Sequence, residues 1–288
     1  MKSLIDGMKE NGAPGPDGIP PIVLKMPLDE VAVPLKILFQ RSIDNGQTPD
    51  EWQEANITAI HKKGSRAEPG NYRGVSLTSV IGKLLERIVK IEFDEHIENN
   101  KLIKDSQHGF RRGRSTQTNL IKFMNVTTGW HDNGKCFSKA FDVVCHKRLL
   151  VKLEAIGIGG KLIIWIKDWI SGQRQRVVVE GTYSEWVEVL SSVIQVSVLG
   201  GIFFDIFVGH IDAVAIEALI QKFADNTKIA MLIESEEDGR KMQANLDRIS
   251  EWAERWKMKF NTKNAKSCIL AGETSGTNTQ GMDAISRR

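Results

Sequence analysis

The sequence predicts an α+β fold in which helices are interspersed with short β-hairpins. Apolar residues recur at helical spacing in several segments, and paired runs of strand-forming residues are separated by turn-forming residues. The chain of 288 residues shows no internal repeat and no dividing linker, and this length is enough for one large domain or two close subdomains. We therefore expect hairpin-based sheets packed against helices.

Helical periodicity is the more frequent of the two patterns. It predicts five helices, near residues 31–39, 81–91, 116–130, 149–156 and 161–171. Ser79 stands where it can cap the second of them. A further helix is predicted to begin at Gly239, and its apolar face consists of Met242, Leu246, Ile249, Ala253 and Trp256.

Two hairpins are predicted between these helices. The first joins residues 52–60 to residues 71–77 through a basic turn, and the second joins residues 176–179 to residues 184–189 around a glycine. Residues 107–114, which are rich in glycine and arginine, are predicted to form a loop.

A third hairpin is predicted to carry an acidic group at its tip. Apolar residues 219–220 and 229–233 flank a short polar turn that contains Asp225 and Asn226. Polymerase palms hold catalytic metal ions at such a tip, although Asp at a hairpin turn is also common for purely conformational reasons. Residues 130–135, by contrast, are so polar that they predict a turn and not a strand.

Composition is that of an ordinary globular protein, with 41% hydrophobic and 26% charged residues and a net charge of +3. Basic residues cluster at 61–63, 66, 111–114, 147–148 and 174–176, which suits phosphate contacts but also solvated loops. The three cysteines and six histidines show no zinc-site spacing, and neither a signal peptide nor a membrane-spanning run is evident. We expect an intracellular protein with no membrane partner.

Seven segments, in order, resemble the reverse transcriptase domain of non-LTR (LINE-type) retrotransposons of the CR1/jockey-like kind. They are APGPDGI (residues 13–19), NYRGVSL (71–77), QHGF (107–110), FSKAFD (137–142), QVSVLG (195–200), FADN (223–226) and WKMKFN (256–261). Each motif alone is weak, but the ordered series is specific.

The resemblance implies a right-hand polymerase with fingers at about residues 1–125 and an interleaved palm at about 126–270. The thumb is expected to be missing or truncated, with no endonuclease domain, and residues 271–288 are expected to form a disordered tail. It further implies RNA-templated DNA synthesis from a DNA primer and deoxynucleoside triphosphates. Two Mg²⁺ ions, with Mn²⁺ as an alternative, would be held by carboxylates from two strands.

The three acids of such a site match altered positions here. By resemblance Asp225 is a metal ligand, whereas Asn226 stands where the family has a second Asp. Counting back from Phe141 places the third acid at Cys136, and the apolar strand that should carry it looks deleted. Asp142 is a poor replacement, because on a strand it would point to the opposite face from Phe141.

Other family positions concern substrate. Lys62, Lys63 and Arg73 match residues that grip the triphosphate, and Phe141 matches a steric gate against the 2′-hydroxyl. Gln195 matches a residue that positions template and nucleotide, although Val196 replaces the glycine that follows it in the family. Lys263 or Lys266 could match a lysine near the pyrophosphate. The lysines and Arg73 have an ordinary alternative as solvated cations, and Phe141 has one as a core aromatic.

Three hypotheses about function follow: an active RNA-directed DNA polymerase, a decayed retrotransposon-derived chain without activity, and a domesticated nucleic-acid-binding protein. The altered acids favour impaired or absent catalysis, since lost charge stabilisation costs several kcal/mol. Only a measured affinity for nucleic acid separates the second hypothesis from the third.

Overall fold

The computed structural model describes residues 1–127, 131–138, 144–193, 197–214, 218–260 and 266–268. It confirms a mixed α and β architecture. The chain forms two compact units, one of residues 1–102 and 144–207 and the other of residues 103–143 and 208–288. The chain therefore leaves the first unit and returns to it before completing the second.

The helices are α1 (Lys2–Asp6), α2 (Pro21–Lys25), α3 (Leu28–Asn45), α4 (Asp50–Gln53), α5 (Val80–Asn100), α6 (Thr116–Thr127), α7 (His146–Ala155), α8 (Gly160–Ser171), α9 (Gly200–Val208) and α10 (Glu236–Arg255). The strands are β1 (Glu54–His61), β2 (Tyr72–Thr78), β3 (His131–Ser138), β4 (Arg174–Val179), β5 (Thr182–Tyr183), β6 (Val187–Glu188), β7 (Leu219–Phe223), β8 (Asn226–Met231), β9 (Lys259–Phe260) and β10 (Lys266–Cys268). Each predicted helix overlaps one of these helices, and each predicted hairpin overlaps strands that pair with each other.

The first unit contains a sheet of order β2–β1–β4–β5, with β6 also paired to β4. Strands β1 and β2 form the predicted antiparallel hairpin, in register from Ala55↔Thr78 to His61↔Tyr72. Strand β4 lies parallel to β1 on its other side. The basic turn predicted from the sequence thus lies at the tip of a regular hairpin.

The core of the first unit is built around large aromatic side chains. Trp165 and Trp169 stack with ring centroids 6.4 Å apart, and Phe203 packs edge-on to Trp169 at 6.0 Å and to Phe93 at 5.7 Å. Phe203 belongs to α9, a short helix whose residues are apolar on nearly every side and are buried. Its sequence lacks the amphipathic period by which the other helices were predicted, and no helix was predicted there.

Caps define where two of the helices begin. The Ser79 hydroxyl accepts a hydrogen bond from the Gly82 N–H at 3.2 Å, which confirms the predicted cap of α5. Helix α10 begins at Glu236, where the Ser235 hydroxyl accepts from the Asp238 N–H at 3.2 Å. The prediction of a start at Gly239 was therefore wrong by three residues, because a serine cap overrides the breaking tendency of a glycine.

The second unit contains a sheet of order β10–β3–β8–β7, with β9 also paired to β3. Strand β3 is antiparallel to β8 on one side, from His131↔Met231 to Cys136↔Asn226. On the other side it is antiparallel to β10 and β9. The prediction of a polar turn at 130–135 was therefore wrong, since residues 131–138 form an internal strand. That the family's apolar strand is deleted from the sequence stays a prediction.

The physical reason for this correction is that pairing on both sides overrides local preference. The residues of β3 have little strand propensity, but neighbouring backbones offer N–H and C=O partners along both edges. Leaving buried backbone N–H and C=O groups unpaired would cost more free energy than placing residues of low strand propensity in a strand. Throughout the described part of the chain, every helix is too short or too polar to cross a membrane.

Glu86 is a buried acid in the first unit that the sequence did not single out. Its side chain, on α5, is 3% exposed and accepts hydrogen bonds from the N–H groups of Val198 at 2.8 Å and Leu199 at 3.1 Å. These two residues immediately precede α9, so Glu86 fixes the entry to that helix. Burial raises the pKa of Glu86 to about 7, against the opposing effect of the two N–H donors.

We expect Glu86→Gln to remove part of the pH dependence of folding. Between pH 4.5 and 7 the folded chain holds a proton on Glu86 that the unfolded chain has released, so the free energy of unfolding falls as the pH rises. A glutamine can still accept both backbone bonds and carries no charge. The variant should match the parent near pH 4.5 and exceed it at pH 8 by about 3 kcal/mol, measured by urea unfolding.

Glu95→Gln provides the control, since Glu95 lies exposed on the same helix. It should leave the pH profile of the parent protein nearly unchanged. A Glu86→Gln profile parallel to that of the parent from pH 4.5 to 8 would contradict the assignment.

Candidate functional site

The acidic tip lies at the turn of the β7–β8 hairpin. The two strands pair in register up to Phe223↔Asn226, which leaves Ala224 and Asp225 as a two-residue turn. Ala224 has φ +54°, a left-handed conformation that residues with a Cβ adopt at some cost. Asp225 is half-buried and Asn226 is exposed, so the predicted hairpin and its acidic tip are both present.

The loop formed by the QHGF motif holds this turn in place. The Gln107 side-chain oxygen accepts hydrogen bonds from the Gly109 N–H at 2.9 Å and from the Ala224 N–H at 3.2 Å. The His108 N–H donates to the Lys222 carbonyl at 2.9 Å, and the Asn119 amide donates to the same carbonyl at 3.0 Å. The left-handed turn residue is thus fixed from outside the hairpin, which offsets its strain.

Gly109 permits this close contact between loop and turn. A Cβ built on Gly109 would lie 2.4 Å from the backbone nitrogen of Ala224 and 3.0 Å from its Cα. The obstruction is main chain, which cannot rotate away as a flexible side chain could. Glycine is therefore required here for space, since its φ does not lie in the left-handed region.

A buried ion pair lies beneath the turn. Lys222, which is 1% exposed, pairs through its Nζ with Asp212, and the Ser106 hydroxyl donates to the same carboxylate at 2.9 Å. The Lys222 N–H in turn donates to the Ser106 carbonyl at 2.7 Å. A charge buried in this way needs both a partner and hydrogen bonds, and Lys222 has both.

Strand β3 brings the third altered position to the same place. Cys136 pairs with Asn226 in the β3–β8 ladder, and Asn226 follows Asp225 directly in the chain. Three backbone positions that the family resemblance assigns to acids thus lie side by side, although only one of them carries an acid. The side chains of β3 itself lie outside the described part of the structure.

The donor set at this tip does not fit two Mg²⁺ ions. It offers one carboxylate, Asp225, and one amide, Asn226, with a cysteine opposite. Magnesium prefers oxygen ligands and needs carboxylate charge to be held against water. Among side chains that the structure describes, no group of three or more His, Cys, Asp or Glu is placed to hold a metal ion.

The predicted triphosphate-binding residues lie together on the hairpin of the first unit. Lys62 and Lys63 are exposed in the turn after β1, where the Lys62 N–H donates to the Asn71 carbonyl at 2.8 Å. Arg73 is exposed on β2, opposite Ile60. Three cations are thus presented to solvent from one hairpin.

The remaining predicted residues lie outside the described ranges. Phe141, Gln195 and Lys263 belong to these, as do Asp142 and Val196. The backbone of Lys266, the alternative to Lys263, pairs with Gly134 in the β10–β3 ladder. The sequence analysis assigned no structural role to Gln107 or Gly109. A glycine within a polar motif is a possible sign of a close backbone contact, but nothing in the sequence identified the partner.

Comparisons with known proteins identify the family of the chain. Residues 60–279 match the family model described as reverse transcriptase (RNA-dependent DNA polymerase). The chain is 26% identical over 95% of its length to the RNA-directed DNA polymerase from mobile element jockey of Drosophila melanogaster. It is 27% identical over 91% of its length to the probable RNA-directed DNA polymerase from transposon BS of the same fly.

A second jockey polymerase, from Drosophila funebris, is 28% identical over 91% of this chain. The matches cover 32%, 31% and 30% of these three relatives, so the chain spans about a third of their length. The resemblance noted from the motifs is therefore confirmed at the level of the family.

We expect Gly109→Ala to destabilise the second unit by roughly 1–3 kcal/mol, because its Cβ would overlap the Ala224 backbone. Gly239→Ala provides a matched control, since a Cβ at this helical position meets nothing within 4 Å. It should stabilise the same unit by about 1 kcal/mol through helix propensity. Urea unfolding of both variants measures these opposite signs, and an unchanged midpoint for Gly109→Ala would contradict the close contact.

Proposed function

The chain belongs to the reverse transcriptase (RNA-dependent DNA polymerase) family, and we propose that it is the polymerase domain of a jockey-like non-LTR retrotransposon whose DNA synthesis is impaired or lost. The observation that carries the proposal is the register of β3 and β8. It sets Cys136 beside Asn226 and next to Asp225, where the family pattern calls for three carboxylates.

The missing carboxylate charges explain why catalysis should be slower. An amide offers an oxygen without a charge, and a thiol is a poor partner for a hard cation. Losing the electrostatic stabilisation of charge that develops in the transition state costs several kcal/mol. At about 1.36 kcal/mol for each tenfold change in rate, synthesis should be slowed about a thousandfold or more.

The proposed substrates are an RNA template, a DNA primer and deoxynucleoside triphosphates, with Mg²⁺ or Mn²⁺ as the ion of the ancestral reaction. The proposed grip on the triphosphate consists of Lys62, Lys63 and Arg73, which one hairpin presents to solvent. The fingers at about residues 1–125 and the palm at about 126–270 are part of the same proposal.

Residues 131–138 pair with β8 as a strand, and this supports a repair by substitution alone. Two substitutions would put three acids at adjacent backbone positions without reinsertion of a segment. We expect Cys136→Asp with Asn226→Asp to increase primer extension by at least about a hundredfold over the parent, since charge stabilisation is regained. The measurement is extension of a DNA primer on an RNA template in Mg²⁺ or Mn²⁺, with a no-primer control.

Two single variants serve as controls. Asn226→Asp alone should not recover synthesis, because position 136 still lacks a carboxylate. Cys136→Asn introduces a polar side chain of about the size of Asp but without its charge, and it should also fail to restore synthesis. Robust synthesis by the parent chain, or recovery from Asn226→Asp alone, would refute the assignment of position 136.

The alternative is a domesticated protein that binds nucleic acid without catalysis. The basic clusters on exposed loops of both units favour it. Recovery of synthesis by the double variant does not bear on it, but binding measurements do.

A further inference from the structure

Helix α3 carries apolar side chains on the face that is exposed to solvent as well as on the face that is buried. The buried residues of its inward face are Ala32, Leu35, Phe39 and Ser42. On the outward face Val33 is 62% exposed and Ile37 is 53% exposed, and Pro34 beside them is also exposed. One buried face is enough to hold a helix in a core, so the outward apolar residues have no role within the first unit.

Helix α10 shows what an ordinary solvated face looks like in this chain. It has 20 residues, against 18 in α3, and each of its exposed residues is polar. Single apolar residues are common on protein surfaces, but Val33 and Ile37 lie about one helical turn apart on the same side of α3 and so form one patch. An apolar patch with a charged border is typical of a surface that another protein covers.

Charges of opposite sign border this patch along the helix. Glu30 precedes Val33 by three residues and Arg41 follows Ile37 by four, so all four side chains lie on the outward face. Both charged residues are exposed. The outward face of α3 therefore runs from an acid through two apolar residues to a base.

Neither of these two charges is paired within the described ranges of the chain. Asp29 and Asp44, which also lie on α3, each form an ion pair with a lysine. Glu30 and Arg41 form no such pair with any residue that the structure describes. They are available to a second molecule.

We propose that the outward face of α3 binds the same face of a second copy of the chain, with the two helices antiparallel about a two-fold axis near residue 35. A two-fold contact requires a self-complementary surface. About this axis Val33 of one copy lies level with Ile37 of the other, and Glu30 lies within one residue of the level of Arg41. Two symmetric ion pairs thus border a shared apolar centre.

Charge selects this arrangement over its parallel alternative. Parallel helices in the same register would place Glu30 against Glu30 and Arg41 against Arg41, and both contacts are repulsive. The dimer should nevertheless be weak, because each copy contributes far fewer residues than the roughly 20–30 of a stable interface, and exposed ion pairs add little. We expect a dissociation constant of about 100 µM. The proposal does not depend on polymerase activity.

Sedimentation equilibrium of the full chain from about 5 to about 500 µM measures this association. Nuclease treatment and EDTA ensure that nucleic acid does not bridge two copies. The parent should show a monomer–dimer equilibrium. Ile37→Ser should raise the dissociation constant at least about tenfold, because the exposed side chain is buried only in the dimer and the core of the monomer is untouched.

Charge reversal tests the antiparallel register. Glu30→Arg and Arg41→Glu should each weaken self-association severalfold, since each brings like charges together twice in the dimer. An equimolar mixture of the two variants should associate, because both contacts then join opposite charges. The double variant that carries both substitutions should self-associate like the parent. All of these differences should narrow at about 1 M salt.

Ile121→Ser is the matched control, since Ile121 is 59% exposed on α6 of the other unit, beside exposed Leu120 and Met124. It should leave the dissociation constant unchanged. A parent chain that stays monomeric up to about 500 µM would overturn the proposal. Loss of association in Ile121→Ser but not in Ile37→Ser would assign the contact to α6 instead.

The charge variants keep the test independent of Ile37→Ser, because they alter only exposed polar side chains. A double charge variant that stays as weak as the single variants would rule out the antiparallel register. Single charge variants that associate like the parent would rule it out as well.

Discussion

The backbone ladder of β3 is the constraint on which the candidate site depends. Strand β8 supplies one line of N–H and C=O groups, and β9 and β10 supply the other. Any segment that fills the space between them gains hydrogen bonds on both sides, and a missing segment would leave those groups unpaired. Residues 131–138 fill it despite their polarity, and this fixes Cys136 opposite Asn226. The geometry of the candidate site is therefore set by main chain, whereas the chemistry proposed for it depends on the side chains at positions 136, 225 and 226.

The contact between the QHGF loop and the hairpin, called the clamp below, also depends on main-chain groups. Gln107 and His108 bind main-chain groups of the hairpin, and Gly109 contributes only the absence of a Cβ. None of these contacts involves the acids, so replacing an acid by Asn or Cys leaves the clamp intact. The shape of the turn therefore does not depend on acids at positions 136 and 226. On the proposed assignment, this explains how a chain with one of three acids keeps a two-residue turn.

The sequence predicted those helices and hairpins that are specified by residues close together in the chain. The β1–β2 and β7–β8 hairpins and helices α3, α5 and α8 were predicted from periodicity, and the Ser79 cap from residue type. Strand β3 was not, because its stability comes from neighbours distant in sequence. Helix α9 was not, because burial on nearly every side erases the period. No sequence pattern indicated the hydrogen-bonding roles of buried polar residues such as Glu86 and Gln107, since only the fold shows which N–H groups they satisfy.

The proposed loss of acids and the neighbouring cations would have opposite electrostatic consequences within one unit. Gly109, which contacts the hairpin turn, is separated from Arg111 by one residue. Carboxylates clustered at the turn would repel a phosphate backbone unless cations neutralised them. If positions 136 and 226 carried acids in the ancestral chain, as proposed, Cys136 and Asn226 reduce that repulsion while the basic residues remain. The proposed loss of catalysis and the alternative of binding without catalysis would then follow from a single change in charge.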